Sequence, residues 1–332
     1  MNTVLAQASG AAPASTRAST RASALASLVD DPIRTRYAPK APVDLRHTLG
    51  PLGRGPYDPT TRWDTAGLWR TFLTPDGAAT MLLTQSAAGI DATAWGPGAE
   101  WAIAGVPELL GADDDWSTLD VSSHHLLADV RRRTTGMRLM RTRRVFEALV
   151  PAVLEQKVTS VEAYRSWARL VRAHGTAAPG PAPDGLMVCP SAEVWRHIPS
   201  WEWHTAGVDP RRSRVIVEAA RVASALERTG HVARGPAASQ RLRTVNGIGI
   251  WTAAEIAQRA FGDPDAVSVG DYHLASIVGY ALTGMKTDDD GMLELLAPWA
   301  GQRQRVVRLI LASGVMPPRR GPRATITDHR WR

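Results

Sequence analysis

Residues 237–274, AASQRLRTVNGIGIWTAAEIAQRAFGDPDAVSVGDYHL, constrain what this chain can fold into more tightly than any other stretch. Two helical patterns meet there across Asn246, Gly247, Ile248, Gly249 and Ile250. Leu242 and Val245 carry the first at i, i+3 spacing, and Ala253, Ile256, Ala257 and Ala260 carry the second on one face. Gly-Ile-Gly between them reads as a tight hairpin in which both glycines reach backbone angles closed to other residues. The N–H groups opening the second helix are then bare, a geometry that takes an anion such as phosphate. Ile248 is expected to point the other way and pin the turn to the helix pair.

That arrangement is a helix-hairpin-helix element, which reads a nucleic-acid backbone without regard to base sequence. A lone Gly-x-Gly also occurs as ordinary helix C-cap chemistry. The longer string through Val245, Gly247, Ile248, Gly249, Trp251, Thr252 and Ala253, with Asp271 downstream, is far more specific.

Charge agrees with a polyanionic partner. The chain has 332 residues and a formal net charge of +7, with a pI near 10.1. Only Lys40, Lys157 and Lys286 are lysines, so nearly all positive charge is arginine, a skew that genomic base composition alone can produce. The charge is therefore supporting evidence. With Cys189 as the sole cysteine, an internal disulfide, a cysteine-based zinc site and a four-cysteine iron–sulfur cluster are excluded. No run of about 18 apolar residues is present. No apolar signal core is seen near the N-terminus either, so the expectation is an intracellular protein without membrane association, in the cytoplasm or nucleoid; a monomer is expected as well.

The texture changes along the chain. Residues 1–35 are rich in Ala, Ser, Thr and Arg and read as a disordered tail. Residues 36–123 read as a β-rich domain of three or four antiparallel strands with one face covered. Leu68, Trp69, Phe72 and Leu73 lead into the turn Pro75-Asp76-Gly77, and Ala79 to Thr84 return. Ile90 to Trp95, and Trp101 to Ala104, follow as further strand candidates. Residues 124–316 read as an all-α bundle, with stripes such as Phe146, Leu149, Val150 and Val153, or Val306, Leu309 and Ile310. Residues 317–332 read as a basic tail. The fold class is thus α+β, a small antiparallel sheet domain followed by a helical domain carrying the hairpin. Asp113 to Asp115 and Asp288 to Asp290 read as solvated caps. Arg141, Arg143 and Arg144 read equally as backbone-tracking cations or a solvated face.

Asp271 lies twenty positions after Trp251. The second helix runs about 15 Å over residues 251–261 at ~1.5 Å per residue. The Gly262-Asp263-Pro264 turn then allows Asp271 to return to the hairpin mouth. Asp271 also suits an N-cap for a helix over residues 272–280, and a capped carboxylate stays fixed and ionised. A carboxylate beside DNA phosphates is repelled, and stabilising a sugar cation is the natural reason to keep one there.

The hairpin, Trp251-Thr252-Ala253 and Gly270-Asp271-Tyr272 resemble the helix-hairpin-helix DNA glycosylases, nearest the alkylated-base branch, 3-methyladenine DNA glycosylase II. Leu154-Glu155-Gln156-Lys157-Val158-Thr159 is similar to that family's Ile-Leu-x-Gln-x-Val-Ser signature, and Gly207-Val208 with Arg211-Arg212 to its next helical turn. The resemblance implies hydrolysis of the N-glycosidic bond of a damaged base flipped from double-stranded DNA, in base-excision repair. It implies Asp271 as the catalytic carboxylate and Trp251, Glu255 and Tyr272 as base-pocket residues. Gly247, Ile248, Gly249, Thr252, Gln156 and Lys157 are implied as DNA contacts. No cofactor is implied, beyond a monovalent cation that the turn carbonyls are able to hold. Bifunctional relatives carry a lysine where this chain has Trp251, so no Schiff base forms there and the implied activity is monofunctional.

Three departures bear on specificity. Glu255 stands where an aromatic pocket residue is common, either attracting a cationic base or turning to solvent. Lys157 replaces an apolar wedge and suits phosphate better than insertion. Leu311 stands near a tryptophan position of some relatives. Trp251 itself is read either as a stacking face or as core beneath the hairpin, whereas Trp195, Trp201 and Trp203 are read as packing. The alternatives are a non-catalytic DNA-binding protein and a glycosylase for deaminated or oxidised bases.

Overall fold

The computed structural model describes residues 31–232 and 235–318, and the readings placed on residues 1–30 and 319–332 lie outside them. A five-stranded antiparallel sheet comes first. It contains β1 (Ile33–Tyr37), β2 (Thr61–Asp64), β3 (Gly67–Thr74), β4 (Gly77–Ser86) and β5 (Gly89–Trp95), in the order β1-β5-β4-β3-β2. Helix α1 (Leu45–Leu49) lies between β1 and β2. β1 is a correction, because the tail reading extended to about residue 35. Its sequence Ile-Arg-Thr-Arg-Tyr looks polar, yet it pairs with β5 from Ile33↔Ala94 to Tyr37↔Ile90.

Side chains alternate across a strand, so neighbouring residues of β3 serve opposite faces. Leu68 and Phe72 join Met81, Leu83, Ile90 and Ala94 in one core, closed by α2 (Ala99–Ala104) and α3 (Val106–Leu109). Helix α2 corrects the strand expected over Trp101 to Ala104. The other face is also covered, against expectation. Trp69 and Trp95 stack there at 5.7 Å between centroids and pack with Leu186.

The helical part runs α4 (His125–Arg133), α5 (Val145–Leu154) and α6 (Ser160–His174). The short pair β6 (Thr176–Ala177) and β7 (Met187–Val188) interrupts it. Then follow α7 (Ala192–His197), α8 (Ser200–Thr205), α9 (Pro210–Arg221), α10 (Ala223–Val232), α11 (Gly235–Leu242), α12 (Ile250–Ala260), α13 (Leu274–Thr283), α14 (Asp289–Leu296) and α15 (Arg303–Ser313). All residues of α5 except Glu147 are buried, so it is the central helix, and α12 packs along it. Around them Trp167, Trp195 and Trp203 stack in series at 6.3 and 5.6 Å, whereas Trp201 is exposed, contrary to its packing assignment. A second core joins α4, α13, α14 and α15 through Val130, Val278, Leu296, Val306 and Ile310. The helices thus form two packed groups, with α12 on one and α13 on the other.

Buried charge pairs sew the sheet to the helices. Arg70 of β3 meets Glu147 of α5, Arg54 meets Glu155 at 3.1 Å, and Arg259 of α12 donates to the Pro51 carbonyl at 3.3 Å. Arg308 of α15 donates to the His47 carbonyl, and burial with the Arg259 charge pushes its guanidinium down to about 10. Among the described residues no helix is long and apolar enough to cross a membrane.

Candidate functional site

The turn between α11 and α12 has the geometry its sequence requires at one glycine and a different one at the other. Gly247 has φ +91°, and a Cβ there would meet Val215 Cγ2 at 2.2 Å. Only glycine fits. Gly249 has φ −87° and ψ −174°, extended backbone open to any residue, and a Cβ on it would meet nothing within 4 Å. The expectation that both glycines need special angles is corrected accordingly. Ile248 is buried in the main core, pinning the turn as anticipated.

No side chain caps α12, whose N-cap is Gly249. Its first-turn N–H groups therefore keep the donor capacity that a helix N-terminus offers an anion. Gln156, just past α5, braces the turn from the side. Its amide Nε2 donates to the Gly247 carbonyl at 3.0 Å and to Thr252 Oγ1 at 2.9 Å. Thr252 is buried, so its hydroxyl faces this brace. The next residue, Lys157, is exposed and adopts φ +56°, a left-handed conformation that costs a non-glycine residue about 1 kcal/mol or more.

Asp271 returns to the mouth of this turn. Trp251 Nε1–H donates to Asp271 Oδ2 at 3.2 Å. The other oxygen, Oδ1, accepts from His273 N and Leu274 N, both at 2.9 Å, capping α13, which starts at Leu274 two residues later than expected. Both carboxylate oxygens are thus held and the group is half-buried. Tyr272, beside it, is 91% exposed, with its ring edge-on to His273, so it lines no pocket in this arrangement.

Glu255 does not turn to solvent. Its Oε2 accepts from Arg259 at 2.7 Å and its Oε1 from Ser268 Oγ at 2.5 Å. Burial pushes this carboxyl up, but the Arg259 charge, the Ser268 hydroxyl and the Arg54 charge together hold it below the usual carboxylate range. Burial likewise lowers Arg259, and the Glu255 and Glu155 charges more than compensate, leaving it raised.

Other candidates fall away from the turn. Arg143 lies over the Trp101 ring at 3.9 Å and donates to the Trp101 carbonyl, while Arg141 and Arg144 pair with Glu108 and Glu227. Glu227 caps α5 through Val145 N and Phe146 N. Asp114, expected in solvent, is buried against Arg305 and the Leu139 amide. Asp288 caps α14 as expected, while Asp289 reaches back to Gly270 N at 3.1 Å. Leu311 is about half exposed.

The arrangement of sheet and helices recurs in known structures. The chain shares its fold with solved DNA glycosylases. The 3-methyladenine DNA glycosylase from Archaeoglobus fulgidus superposes with a TM-score of 0.67 at 17% identity, covering 85% of this chain and 98% of that one. The apo 8-oxoguanine glycosylase/lyase from Clostridium acetobutylicum gives 0.64 at 11%, covering 86% and 96%. Its complex with double-stranded DNA containing cytosine opposite 8-oxoguanine gives 0.62 at 11%, covering 86% and 97%. No protein-family model and no curated protein matches the sequence.

Proposed function

We propose that this protein is a monofunctional DNA glycosylase of the helix-hairpin-helix type, hydrolysing the N-glycosidic bond of alkylated bases such as 3-methyladenine in base-excision repair. One observation carries the reading: a half-buried carboxylate, Asp271, bonded to Trp251 on the first turn of α12, whose N-terminus no side chain caps.

The α11–turn–α12 element is read as the hairpin that seats a DNA phosphate on the N–H groups following Gly249. Gly249 supports this, since nothing inside the protein demands a glycine there, whereas close approach of a phosphate does. The turn carbonyls of Val245 and Gly247 already accept from Ile248 N and Gln156. Each carbonyl oxygen has a second lone pair, so the turn fits a monovalent cation, and no step here uses it.

In the proposed reaction a base swung out of the duplex lies by Asp271. The C1′–N bond breaks and its electron pair leaves with the base. The cationic charge of an alkylated purine makes that departure possible without a second carboxylate as acid. Asp271 Oδ2, with one lone pair on Trp251 and one open, stabilises the oxocarbenium-like sugar. Water then adds to C1′ and gives up its proton to the carboxylate or solvent. The indole at position 251 offers no amine for a Schiff base, which supports hydrolysis without lyase chemistry.

The test is base release from methylated duplex DNA by wild-type protein and Asp271→Asn, with binding to the same duplex followed by fluorescence anisotropy. The reading expects release of 3-methyladenine and 7-methylpurines by wild type alone, with binding retained in both. Binding without release by either would favour a non-catalytic DNA-binding protein, unless deaminated or oxidised bases are released instead.

A further inference from the structure

The loop that delivers Asp271 does not stand free. It lies along one face of α12, joined to it at i, i+4 and i+7. Trp251 donates to Asp271 Oδ2 at 3.2 Å. Glu255 Oε1 accepts from Ser268 Oγ at 2.5 Å. Gln258 Nε2 donates to Ser268 Oγ at 2.8 Å and to the Ala266 carbonyl at 2.8 Å. Residues at this spacing share one helix face, and they meet a loop running the opposite way. On the far side Asp289 Oδ2 accepts from Gly270 N at 3.1 Å. Gly270 has φ +88°, yet a Cβ there would touch nothing within 4 Å. Val267 is buried in the second core with Val269 packed against it, so the loop is held by that packing and by the polar bonds at Ser268, Gly270 and Asp271.

Ser268 is the centre of this ladder. It is buried, and its hydroxyl both donates to Glu255 and accepts from Gln258. Glu255 in turn is fixed by Arg259 at 2.7 Å, and Arg259 is anchored to the Pro51 carbonyl in the segment between α1 and β2. A continuous chain of bonds runs from the sheet side of the molecule to the loop bearing Asp271.

We infer that the face of α12 is a template that sets the position of Asp271, with Trp251 acting directly and Glu255 and Gln258 acting through Ser268 as positioning residues. Glu255 then touches no base; both its oxygens serve the helix and the loop. The indole N–H of Trp251 serves the carboxylate. The kinetic half of the test rests on the glycosylase reading, and the spectroscopic half does not. Misplacement of a reacting group by about 1 Å can cost on the order of a hundredfold in rate, so loss of one rung should be visible.

Ser268→Ala, Gln258→Leu and Trp251→Phe are compared with wild type in turnover of methylated duplex DNA and in the Trp Hε1 region of proton–nitrogen spectra. The Trp251 resonance is the one missing from Trp251→Phe. Each variant is expected to lose roughly tenfold or more in kcat with KM within about twofold. The Trp251 resonance should move in Ser268→Ala and in Gln258→Leu, in the direction it moves in Asp271→Asn. If both folded variants keep the wild-type resonance and kcat, the template is wrong. A rise in KM with unchanged kcat in Trp251→Phe would overturn the positioning role of Trp251 in favour of stacking. Should Ser268→Ala fail to fold, Gln258→Leu, which leaves the Ser268–Glu255 bond in place, decides by the same two readouts. If wild type releases no base at all, the glycosylase reading fails while the resonance still decides the geometry.

Discussion

Two glycines two residues apart do different work. Gly247 answers to the protein interior: its φ is +91°, and a methyl group there would overlap Val215 Cγ2 at 2.2 Å. Gly247→Ala combines left-handed strain with overpacking, and a loss of about 2–4 kcal/mol is expected in urea denaturation. Trimming the neighbour in a Gly247→Ala, Val215→Ala double variant should recover only the packing part. Gly249 meets no such demand inside the protein, and in the proposed function it leaves room for a phosphate. Gly249→Ala should stay within about 1 kcal/mol of wild type, the usual span for an N-cap exchange. It should nevertheless weaken binding to duplex DNA measurably, by placing a methyl where a phosphate approaches. Equal affinity for DNA in wild type and Gly249→Ala would remove the phosphate from this turn.

At the scale of elements, α12 and its returning loop meet through a buried ionic site that titrates. The Glu255 carboxyl is held below the usual carboxylate range in the folded protein. A depressed folded value contributes stability that is complete above the unfolded value, near ~4.3, and is lost as pH falls through the folded one. Glu255→Gln should thus be less stable than wild type by on the order of 3 kcal/mol at pH 7. The gap should stay level down to about pH 5 and narrow below about pH 4. Urea denaturation of both proteins across that range checks it, and a constant gap down to pH 3 would assign the loss to packing instead.

Much of this element was legible beforehand. The stripe Ala253, Ile256, Ala257 and Ala260 defines α12, and the Asp cap and the turn after Phe261 bring Asp271 back to its start. The rungs at Ser268, Gln258 and Asp289 were not legible, because polar loop contacts leave no periodicity in a sequence. The only trace was Gln258 at i+7 from Trp251. Strand β1 was hidden for a related reason: Ile33, Thr35 and Tyr37 alternate with arginines, and only pairing with β5 makes that a strand. Trp101 to Ala104 alternates large and small residues, which suits a short helix over the sheet as well as a strand.

Across the whole molecule, positive charge and DNA-facing charge are different quantities. The chain carries +7, but many of its arginines are engaged inside it. Arg54, Arg70, Arg259 and Arg305 are paired with buried or nearly buried carboxylates, and Arg143 is stacked on Trp101 and bonded to its carbonyl. Such groups are spent on contacts within the protein, Arg70 joining β3 to α5 and Arg305 joining α15 to the loop at Asp114. Lys157 is different: it is exposed, adjacent to the Gln156 brace and therefore beside the turn proposed to seat DNA. Counterion release makes the slope of log K against log salt a count of phosphates neutralised, roughly 0.9 per contact. Lys157→Ala should lower that slope by about 1, whereas Arg143→Ala should leave it unchanged while lowering the thermal midpoint. Anisotropy titrations of undamaged duplex at several salt concentrations give both slopes directly. A slope that falls for Arg143→Ala and not for Lys157→Ala would place the DNA across the sheet seam rather than over the α11–α12 turn, and the proposed docking face would have to move with it.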